Sequence, residues 1–352
     1  MNKKNNLVSV VVVNYNGEIY LKRCVESILK NNYSDYEIIV VDNASADGSI
    51  VMFKENFGGF DKLRIISLDK NYGPAKARNE GVKLAKGEII GFLDNDTEVD
   101  PYWISNALKY FENDSKIGAL QCKLLLLNDK NKIDYAGEYL GSLGFLVHVA
   151  RYGEEDKGQY DEVKELLAAK SAGMFIRKDV FEKIGGFDDD YFIFVEETDL
   201  GWRAWLAGYK TIFAYDSRVY HYYSATKVLT DKNFNNYLVR FHGPKNYILT
   251  LYKNLSFKNL IFILPRHIFL WFCLAMYLIL TGNRNSGFNI LKGIGWNIAN
   301  YQKNRKKRIL IQRARIISDE ELFAKIYKKQ NLFYHIKNFL KSQKQVITPE
   351  NQ

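Results

Sequence analysis

Two clusters of acidic residues carry the side chains in this sequence that are best suited to catalysis. The first, Asp94-Asn95-Asp96, follows the mostly apolar residues 88–93, which are typical of a buried strand. Two carboxylates this close repel each other unless a cation lies between them. At the carboxyl end of a strand in an α/β sheet, where ligands bind, a divalent metal on a phosphorylated ligand meets this need. The motif alone leaves a solvated acidic turn open as the alternative.

The second cluster consists of Glu196, Glu197 and Asp199 and precedes a run of apolar and aromatic residues. If residues 196–207 form a helix, Glu196, Asp199 and Arg203 share one side of it, whereas Glu197 points elsewhere. Aromatic neighbours would desolvate a carboxylate and raise its pKa toward the range that suits a general base. Acids in a first helical turn also interact favourably with the helix dipole, so a purely structural role stays open.

A single histidine, His221, follows a short strand-like segment that is rich in tyrosine. A lone histidine is most often a packed or surface residue. As a metal ligand it would need acidic partners. The sequence supplies these partners only from the two acidic clusters, so a metal role for His221 depends on the fold bringing them together.

Alternating strands and helices must position these clusters. Residues 7–13 form a run of mainly β-branched residues, which is typical of a strand covered on both faces. Further apolar runs at residues 38–41, 63–68 and 89–93 alternate with segments of helical periodicity. The pattern predicts a doubly wound α/β fold, with a mostly parallel sheet, helices on both faces and a ligand crevice at the carboxyl ends of the strands.

Polar residues follow three of these strands and would therefore meet at one rim of the sheet. Their types suit a nucleotide, since Asp42 could hydrogen bond a base or a ribose, and Arg78 and Asn79 could bind a diphosphate. The glycine-rich signatures of dinucleotide dehydrogenases and P-loop NTPases are absent, which argues against both classes. The remaining polar residues of this rim are Asn14, Tyr15, Asn16, Asp94 and Asn95.

Charge divides the chain into two parts. Residues 1–225 contain 28 Lys and Arg against 35 Asp and Glu, whereas residues 226–352 contain 22 against 5. This division predicts a catalytic domain over residues 1–225 and a basic C-terminal region over residues 226–352 that meets an anionic surface, either lipid or nucleic acid. The three cysteines form neither a disulfide framework nor a metal-ligand pattern, so a reducing compartment, the cytoplasm, is expected.

The C-terminal region contains two segments with a membrane-like composition. Residues 260–280 are mostly apolar but are interrupted by Pro, Arg and His at 265–267, which leaves a clean run of 13 residues. A membrane span needs about 20 residues, so we expect a re-entrant or in-plane segment, with a buried helix or an oligomer contact as the alternative. A capping box at residues 318–321 opens a second segment, in which apolar residues alternate with lysines. It fits a basic amphipathic helix on an anionic membrane, with Leu322, Ile326, Phe333, Ile336 and Leu340 as its apolar residues.

Five motifs in order resemble those of family 2 glycosyltransferases of the GT-A fold, and in particular the rhamnosyltransferase-like branch that builds bacterial polysaccharides. The resemblance spans about residues 5–225 and is vaguer beyond them. It implies a GT-A fold, Rossmann-like with a mostly parallel central sheet, followed by a helical and partly amphipathic C-terminal region. The motifs are residues 12–17, 41–49, 71–81 and 93–96, and the stretch 173–200.

The resemblance implies a role for each rim residue. Asp42 would hold a pyrimidine base, and Asp94 would contact the ribose or, through water, the metal. Asp96 would bind a Mg²⁺ or Mn²⁺ ion that bridges the diphosphate, and His221 would complete the metal site. Nucleotide-sugar binding would also involve Asn14, Tyr15, Asn16, Arg78, Asn79 and Asn95.

The resemblance also implies a catalytic base. Glu197 stands where the family usually has an aspartate in this role, so a glutamate here is a departure and leaves Glu196 as a second candidate. Glu196, with Asp188 and Asp199, would otherwise lie on the acceptor side. One displacement by an acceptor hydroxyl would invert the configuration of the transferred sugar.

The expected function is thus an inverting, metal-dependent glycosyltransferase with a nucleotide-diphosphate sugar donor, dTDP-rhamnose being favoured and a UDP-hexose possible. Its acceptor would be lipid-linked or a polysaccharide. We expect a peripheral or monotopic protein on the anionic inner face of the cytoplasmic membrane, with a homo-oligomer possible and no nucleic-acid partner. The alternatives are a nucleotidyltransferase that makes an activated sugar, and a basic nucleic-acid-binding protein on an α/β scaffold.

Overall fold

The computed structural model describes residues 7–222 and 236–330, and its first four strands form the parallel part of a mixed sheet. These strands lie in the spatial order β3-β2-β1-β4. The alternation of strand and helix agrees with the sequence pattern. The elements are β1 (Val8–Asn14), α1 (Glu18–Leu29), β2 (Tyr36–Asp42), α2 (Ser49–Phe57), β3 (Leu63–Ser67), α3 (Pro74–Leu84) and β4 (Ile89–Asp94).

The valine run of β1 forms the central strand because its side chains are buried on both faces of the sheet. Val10 and Val12 pack into the core beneath α1, α2 and the later helix α4 (Trp103–Asn113), whereas Val11 and Val13 pack beneath α3. Such two-sided burial requires apolar side chains at odd and even positions alike. Helix α3 approaches the sheet closely, since a Cβ on its Gly81 would lie 2.4 Å from Val11 Cγ1.

The strand register brings the polar rim residues side by side. Asn14 is paired with Asp42 across β1 and β2, and Val13 is paired with Asp94 across β1 and β4. The carboxyl ends of three strands therefore meet at one edge, as the sequence predicts.

The second half of the sheet is largely antiparallel. Strand β12 pairs with β4 on one side and with β6 on the other, and β13 closes the sheet by pairing with β5 and β6. Three strands, β14, β8 and β9, form a separate small sheet. The elements are β5 (Thr97–Val99), β6 (Ile117–Leu126), β7 (Asp129–Tyr135), β8 (Glu138–Gly141), β9 (Leu146–His148), β10 (Glu154–Glu155), β11 (Glu165–Leu166), β12 (Met174–Arg177), α5 (Lys178–Lys183), α6 (Glu196–Leu206) and β13 (Lys210–His221).

The described part of the C-terminal region is helical, as expected. A π-helical turn, Leu238–His242, leads into helix α7, which packs against α6. The elements are α7 (Gly243–Asn254), α8 (Phe257–Leu280), α9 (Arg284–Ala299), α10 (Tyr301–Arg313), α11 (Asp319–Ile326) and β14 (Tyr327–Lys328). The division of the chain at residue 225 stays a prediction.

Helix α8 corrects the prediction that residues 265–267 interrupt the apolar segment. It runs for 24 residues through Pro265, and its most apolar 18 residues have a mean hydropathy of 1.8 and are only 17% buried. By length and composition it could cross a membrane. The interruption disappears because His267 packs inward, where Trp271 Nε1 donates to its Nε2 and its Nδ1 lies 2.8 Å from the Leu143 carbonyl oxygen.

Helix α11 corrects a second expectation. Ser318 and Glu321 form the predicted capping box. However, Leu322 and Ile326 do not face outward, because they are fully buried in a cluster with Trp205 and other apolar residues. The remaining predicted apolar residues of this segment, Phe333, Ile336 and Leu340, lie outside the described residues.

Candidate active site

The fold brings Asp94, Asp96 and His221 together at the rim of the sheet. One ligand atom from each residue lies within 4.8 Å of the others, and Asp96 Oδ1 is 3.4 Å from His221 Nε2. Asp94 ends β4, Asp96 lies in the turn that follows, and His221 ends β13, which is paired with Thr97 at that position. Two carboxylates and an imidazole form a donor set suited to a divalent ion such as Mn²⁺. These three residues could therefore hold the expected metal.

Asp134, at the end of β7, orients the histidine, and no feature of the sequence singled it out. Its Oδ2 lies 2.8 Å from His221 Nδ1, which leaves Nε2 facing Asp96. Burial lowers the pKa of His221, but the hydrogen bonds to Asp134 and Asp96 outweigh burial and raise it to about 10. A carboxylate behind a histidine fixes the ring and its tautomer in metal sites, and a metal ligand must give up its proton at the coordinating nitrogen.

Four of the predicted nucleotide-binding residues join one hydrogen-bond network. Asn14 Nδ2 donates to Asp42 Oδ1 at 2.8 Å, and Asn95 Nδ2 donates to Asn14 Oδ1 at 2.7 Å. Asp42 also accepts from the backbone N–H and hydroxyl of Ser45, and Asn16 Oδ1 accepts from the N–H of residue 46. Asp42 is fully buried, so its carboxylate stabilises the turn after β2 in this conformation, and its contact with a base stays a prediction.

Arg78 connects the two acidic clusters. Its side chain is nearly fully buried, Nη2 donates to Asp94 Oδ1 at 2.8 Å, and Nη1 donates to Glu196 Oε1 at 3.1 Å. Nη1 also lies 4.0 Å from Glu197 Oε1. Burial lowers the pKa of this guanidinium, but the three carboxylates outweigh burial and hold the pKa above its usual range. Arg78 thus organises the acids, whereas its predicted contact with a diphosphate stays a prediction.

Glu196 and Glu197 begin helix α6 and occupy different environments. Glu196 is buried, its Oε2 has no hydrogen-bond partner in the described part of the chain, and burial beside Glu197 raises its pKa well above the usual range. The Glu197 side chain is 19% exposed, and its Oε1 accepts from the Ser171 hydroxyl at 2.6 Å. Glu197 is therefore the one of the two that could meet a second substrate.

Asp188 and Asp199, which are expected on the acceptor side, form ion pairs within the protein, and their contact with an acceptor stays a prediction. Asp199 is fully buried and forms ion pairs with Arg203, in the predicted helical spacing, and with Lys253. Asp188 pairs with Lys253 and Lys307. Both carboxylates are thus neutralised by cations that come mainly from the C-terminal region, which the sequence did not indicate.

Two other predicted residues, Asn79 and Tyr15, are both half-buried but lie in different surroundings. Asn79 Nδ2 donates to the Phe187 carbonyl oxygen at 2.8 Å, and Asn79 Oδ1 accepts from the Phe187 N–H at 3.0 Å. This residue therefore holds the turn after α5. Tyr15 lies between Asn14 and Asn16, which belong to the network described above. Contacts of both residues with a nucleotide stay predictions.

Comparisons with known proteins show the family to which the chain belongs. Residues 9–185, about half of the chain, match the family model described as Glycosyl transferase family 2. The chain is 27% identical over 227 residues to the O-antigen biosynthesis protein RfbC of Myxococcus xanthus, a match that covers 62% of this chain and 18% of that protein. It is 28% identical over 214 residues to the glycosyltransferase AglE of Haloferax volcanii, covering 59% of this chain and 64% of that protein. The chain thus spans less than two thirds of either relative.

A solved structure shares the fold. The mannosyltransferase PcManGT from Pyrobaculum calidifontis, in complex with GDP-Man and Mn²⁺, superposes with a TM-score of 0.51 at 16% sequence identity. The superposition covers 87% of this chain and 85% of that one. The similarity therefore extends beyond the sheet into the helical C-terminal region.

The raised pKa of Glu196 makes a pH-dependent prediction for Glu196→Gln. An unfolded glutamate has a pKa of about 4.3, so above that pH the folded protein keeps a proton that the unfolded chain has lost. The stability of the wild type relative to E196Q should therefore fall as the pH rises from about 5 to about 8. Urea unfolding across this range measures the difference. E182Q, at an exposed position of α5, is the control, and its stability relative to the wild type should not change with pH. A stability difference for E196Q that is equally independent of pH would contradict the raised pKa.

Proposed function

Because this chain belongs to glycosyl transferase family 2, we propose that it transfers a sugar from a nucleotide-diphosphate donor to a hydroxyl group of an acceptor, with inversion of configuration. One observation carries the proposal: the guanidinium of Arg78 binds Asp94 of the candidate metal cluster and, on its other side, lies against Glu197. The candidate metal site, which would bind the diphosphate, and the carboxylate base therefore lie on two sides of the buried guanidinium of Arg78. Single displacement requires the base on the face of the sugar opposite the leaving diphosphate, and this arrangement would allow it.

The donor and acceptor follow from the same family. The mannosyltransferase that shares the fold is named with a GDP-sugar and Mn²⁺, which supports a nucleotide-sugar donor here. The resemblance of the motifs favours dTDP-rhamnose, with a UDP-hexose as the other candidate. One relative is named an O-antigen biosynthesis protein, which supports a lipid-linked or polysaccharide acceptor.

Each group at the site would have a defined task in the reaction. Asp94, Asp96 and His221 would hold a Mg²⁺ or Mn²⁺ ion, which would neutralise the charge of the leaving nucleoside diphosphate. Glu197 would remove the proton from the acceptor hydroxyl as that oxygen attacks the anomeric carbon. Ser171 holds Glu197 Oε1, so Oε2 is the oxygen that would take the proton. Glu196 is 2% exposed and is bound to Arg78, so its role would be to help position the base.

We further propose that helix α8 attaches the protein to the inner face of the cytoplasmic membrane. Its outer side carries exposed aromatic and aliphatic residues, among them Phe257 at 73%, Phe269 at 63% and Leu280 at 80% exposure. An apolar surface of this kind on a monomer marks a membrane or protein contact. The basic sequence of α10, with Arg305 and Lys306 exposed, favours an anionic lipid surface.

The first prediction concerns the base. Glu197→Gln keeps the size of the side chain but cannot accept the proton, so kcat should fall by about 10²- to 10⁴-fold while the donor Kd is retained. The assay is release of nucleoside diphosphate from a panel of nucleotide sugars that includes dTDP-rhamnose and UDP-hexoses. E196Q should lose less activity. A dead E196Q beside a near-normal E197Q would move the base to Glu196. Release of pyrophosphate from a nucleoside triphosphate and a sugar 1-phosphate, in a parallel assay, would indicate a nucleotidyltransferase instead.

The second prediction concerns the metal. Asp96→Ala removes a proposed ligand, so Mn²⁺-dependent binding of UDP or dTDP should weaken by at least about 10- to 100-fold, the range seen even for residues behind the ligands. Asp134→Asn should give an intermediate loss, because it leaves the ligands in place but replaces the carboxylate behind the His221 ring with a neutral amide, which holds the ring less strongly. Calorimetry with each nucleotide and Mn²⁺ measures both variants. Asp61→Ala, at an exposed site outside the rim, is the control, and unchanged affinity in D96A would remove Asp96 from the site.

The third prediction concerns the membrane. Phe262→Glu and Phe269→Glu should each weaken sedimentation with vesicles of phosphatidylglycerol and phosphatidylcholine by at least about tenfold, because each buried aromatic ring contributes roughly 1.5–3 kcal/mol. Val51→Glu changes an equally exposed apolar residue on α2 and should have no effect. Wild-type protein that never sediments would refute the membrane contact. A smaller particle size in the α8 variants on gel filtration would assign this face to a homo-oligomer.

A further inference from the structure

The turn that leads into helix α6 has an unusual backbone. Phe192, Phe194 and Val195 have φ angles of 61°, 70° and 68°, and none of them is glycine. The left-handed region is unfavourable for residues with a Cβ, and especially for a β-branched residue such as Val195. This turn directly precedes Glu196 and Glu197. Its conformation therefore sets the position at which helix α6 begins, and with it the position of these two residues. Strained backbone persists only where the surrounding structure holds it.

A single amide from the C-terminal region holds the turn. Asn246, on α7, is fully buried. Its Nδ2 donates to the carbonyl oxygens of Tyr191 at 3.0 Å, Ile193 at 2.7 Å and Phe194 at 2.7 Å. Three carbonyl groups from residues 191–194 therefore point at one donor group. Without that donor, the partly buried Ile193 and Phe194 carbonyl oxygens would lose this partner and would repel each other, whereas the Tyr191 oxygen would keep its hydrogen bond from the Ile193 N–H.

The same helix also fixes the far side of the first turn of α6. Asn254 Nδ2 donates to Asp199 Oδ1 at 2.9 Å, and Lys253 Nζ lies 3.0 Å from the same oxygen. Helix α7 thus binds the chain on both sides of Glu196 and Glu197. The position of these two glutamates is therefore determined by α7 as well as by the sheet.

The turn also touches the helix that carries Arg78. A Cβ on Gly73, the residue before α3, would lie 2.4 Å from the Phe192 carbonyl oxygen. The backbone of residue 192 is therefore in close contact with the start of α3. A change in the turn would shift Glu197 relative to Arg78 and to the metal cluster beyond it.

We infer that Asn246 is a positioning residue for sugar transfer, which holds the left-handed turn 192–195 so that Glu197 faces the donor. The catalytic part of this inference depends on the proposed function, whereas the structural part, that the amide holds the turn, does not. A displacement of about 1 Å at a reacting group costs about 10²-fold in rate. A residue that only stabilised the fold would lower the free energy of unfolding without a selective loss of kcat.

The test compares Asn246→Asp with Asn297→Ala. N246D has the same shape but its carboxylate cannot donate, whereas Asn297 is a second asparagine of the C-terminal region that donates to the Lys245 carbonyl oxygen and not to the turn. Hydrogen exchange should rise at the amides of residues 192–199 in N246D, while exchange in β1 and β4 stays at the wild-type level. At the same time kcat should fall by about 10²-fold, with the Kd for UDP and Mn²⁺ unchanged. N297A should show neither effect.

Several results would overturn the inference. Exchange at residues 192–199 that equals the wild type, or that rises equally throughout the sheet, would show that Asn246 does not hold the turn. A kcat no lower than that of N297A would show that the turn does not set the base. If N246D does not fold, N246A, which removes the amide without adding a charge, is measured in the same way. If the wild type transfers no sugar, the proposed function fails while the exchange comparison still decides whether Asn246 holds the turn.

Discussion

The site depends on one buried positive charge surrounded by three carboxylates. Arg78 is the charge, and Asp94, Glu196 and Glu197 surround it. Burying an ion is costly unless partners compensate it, and removing one member of a buried pair leaves an uncompensated charge. Arginine suits this place because it stays protonated and donates in two directions at once. Burial, and then the charge of the adjacent Glu197, raises the pKa of Glu196, the most buried of the three acids, and the guanidinium of Arg78 offsets this only in part.

Most of the first half of the fold could be predicted from the sequence, because its strands are buried on both faces. A run such as Val10–Val13 has few alternatives to a central strand, and the register of parallel neighbours then places Asn14, Asp42 and Asp94 at one edge. Predicting the candidate metal cluster also requires a contact between distant strands. His221 reaches Asp96 only because β13 crosses back to pair with β5, a long-range contact that no local pattern encodes.

The rest could not be predicted because it depends on contacts between distant parts of the chain. Asp134 lies on an edge region with no motif, and its role appears only when His221 lies beside it. Asp199 is expected on the acceptor side, but Asn254, 55 residues away along the chain, and Lys253 both bind its carboxylate. The helix α8 passes through Pro265 because flanking turns are stabilised by tertiary contacts such as that of His267 with Leu143.

The two adjacent glutamates illustrate how environment divides roles between identical side chains. Acid and base assignments follow from surroundings that move the pKa values of neighbouring groups apart. Glu196 lies inside, bound to Arg78, where a raised pKa makes the neutral form more favourable. Glu197 keeps contact with solvent, and the Ser171 hydroxyl fixes one of its oxygens. A glutamate is one methylene longer than the aspartate usual at this position, so its carboxylate has more freedom. The hydrogen bond from Ser171 restricts that freedom at the end of the side chain, while the turn held by Asn246 restricts it at the backbone.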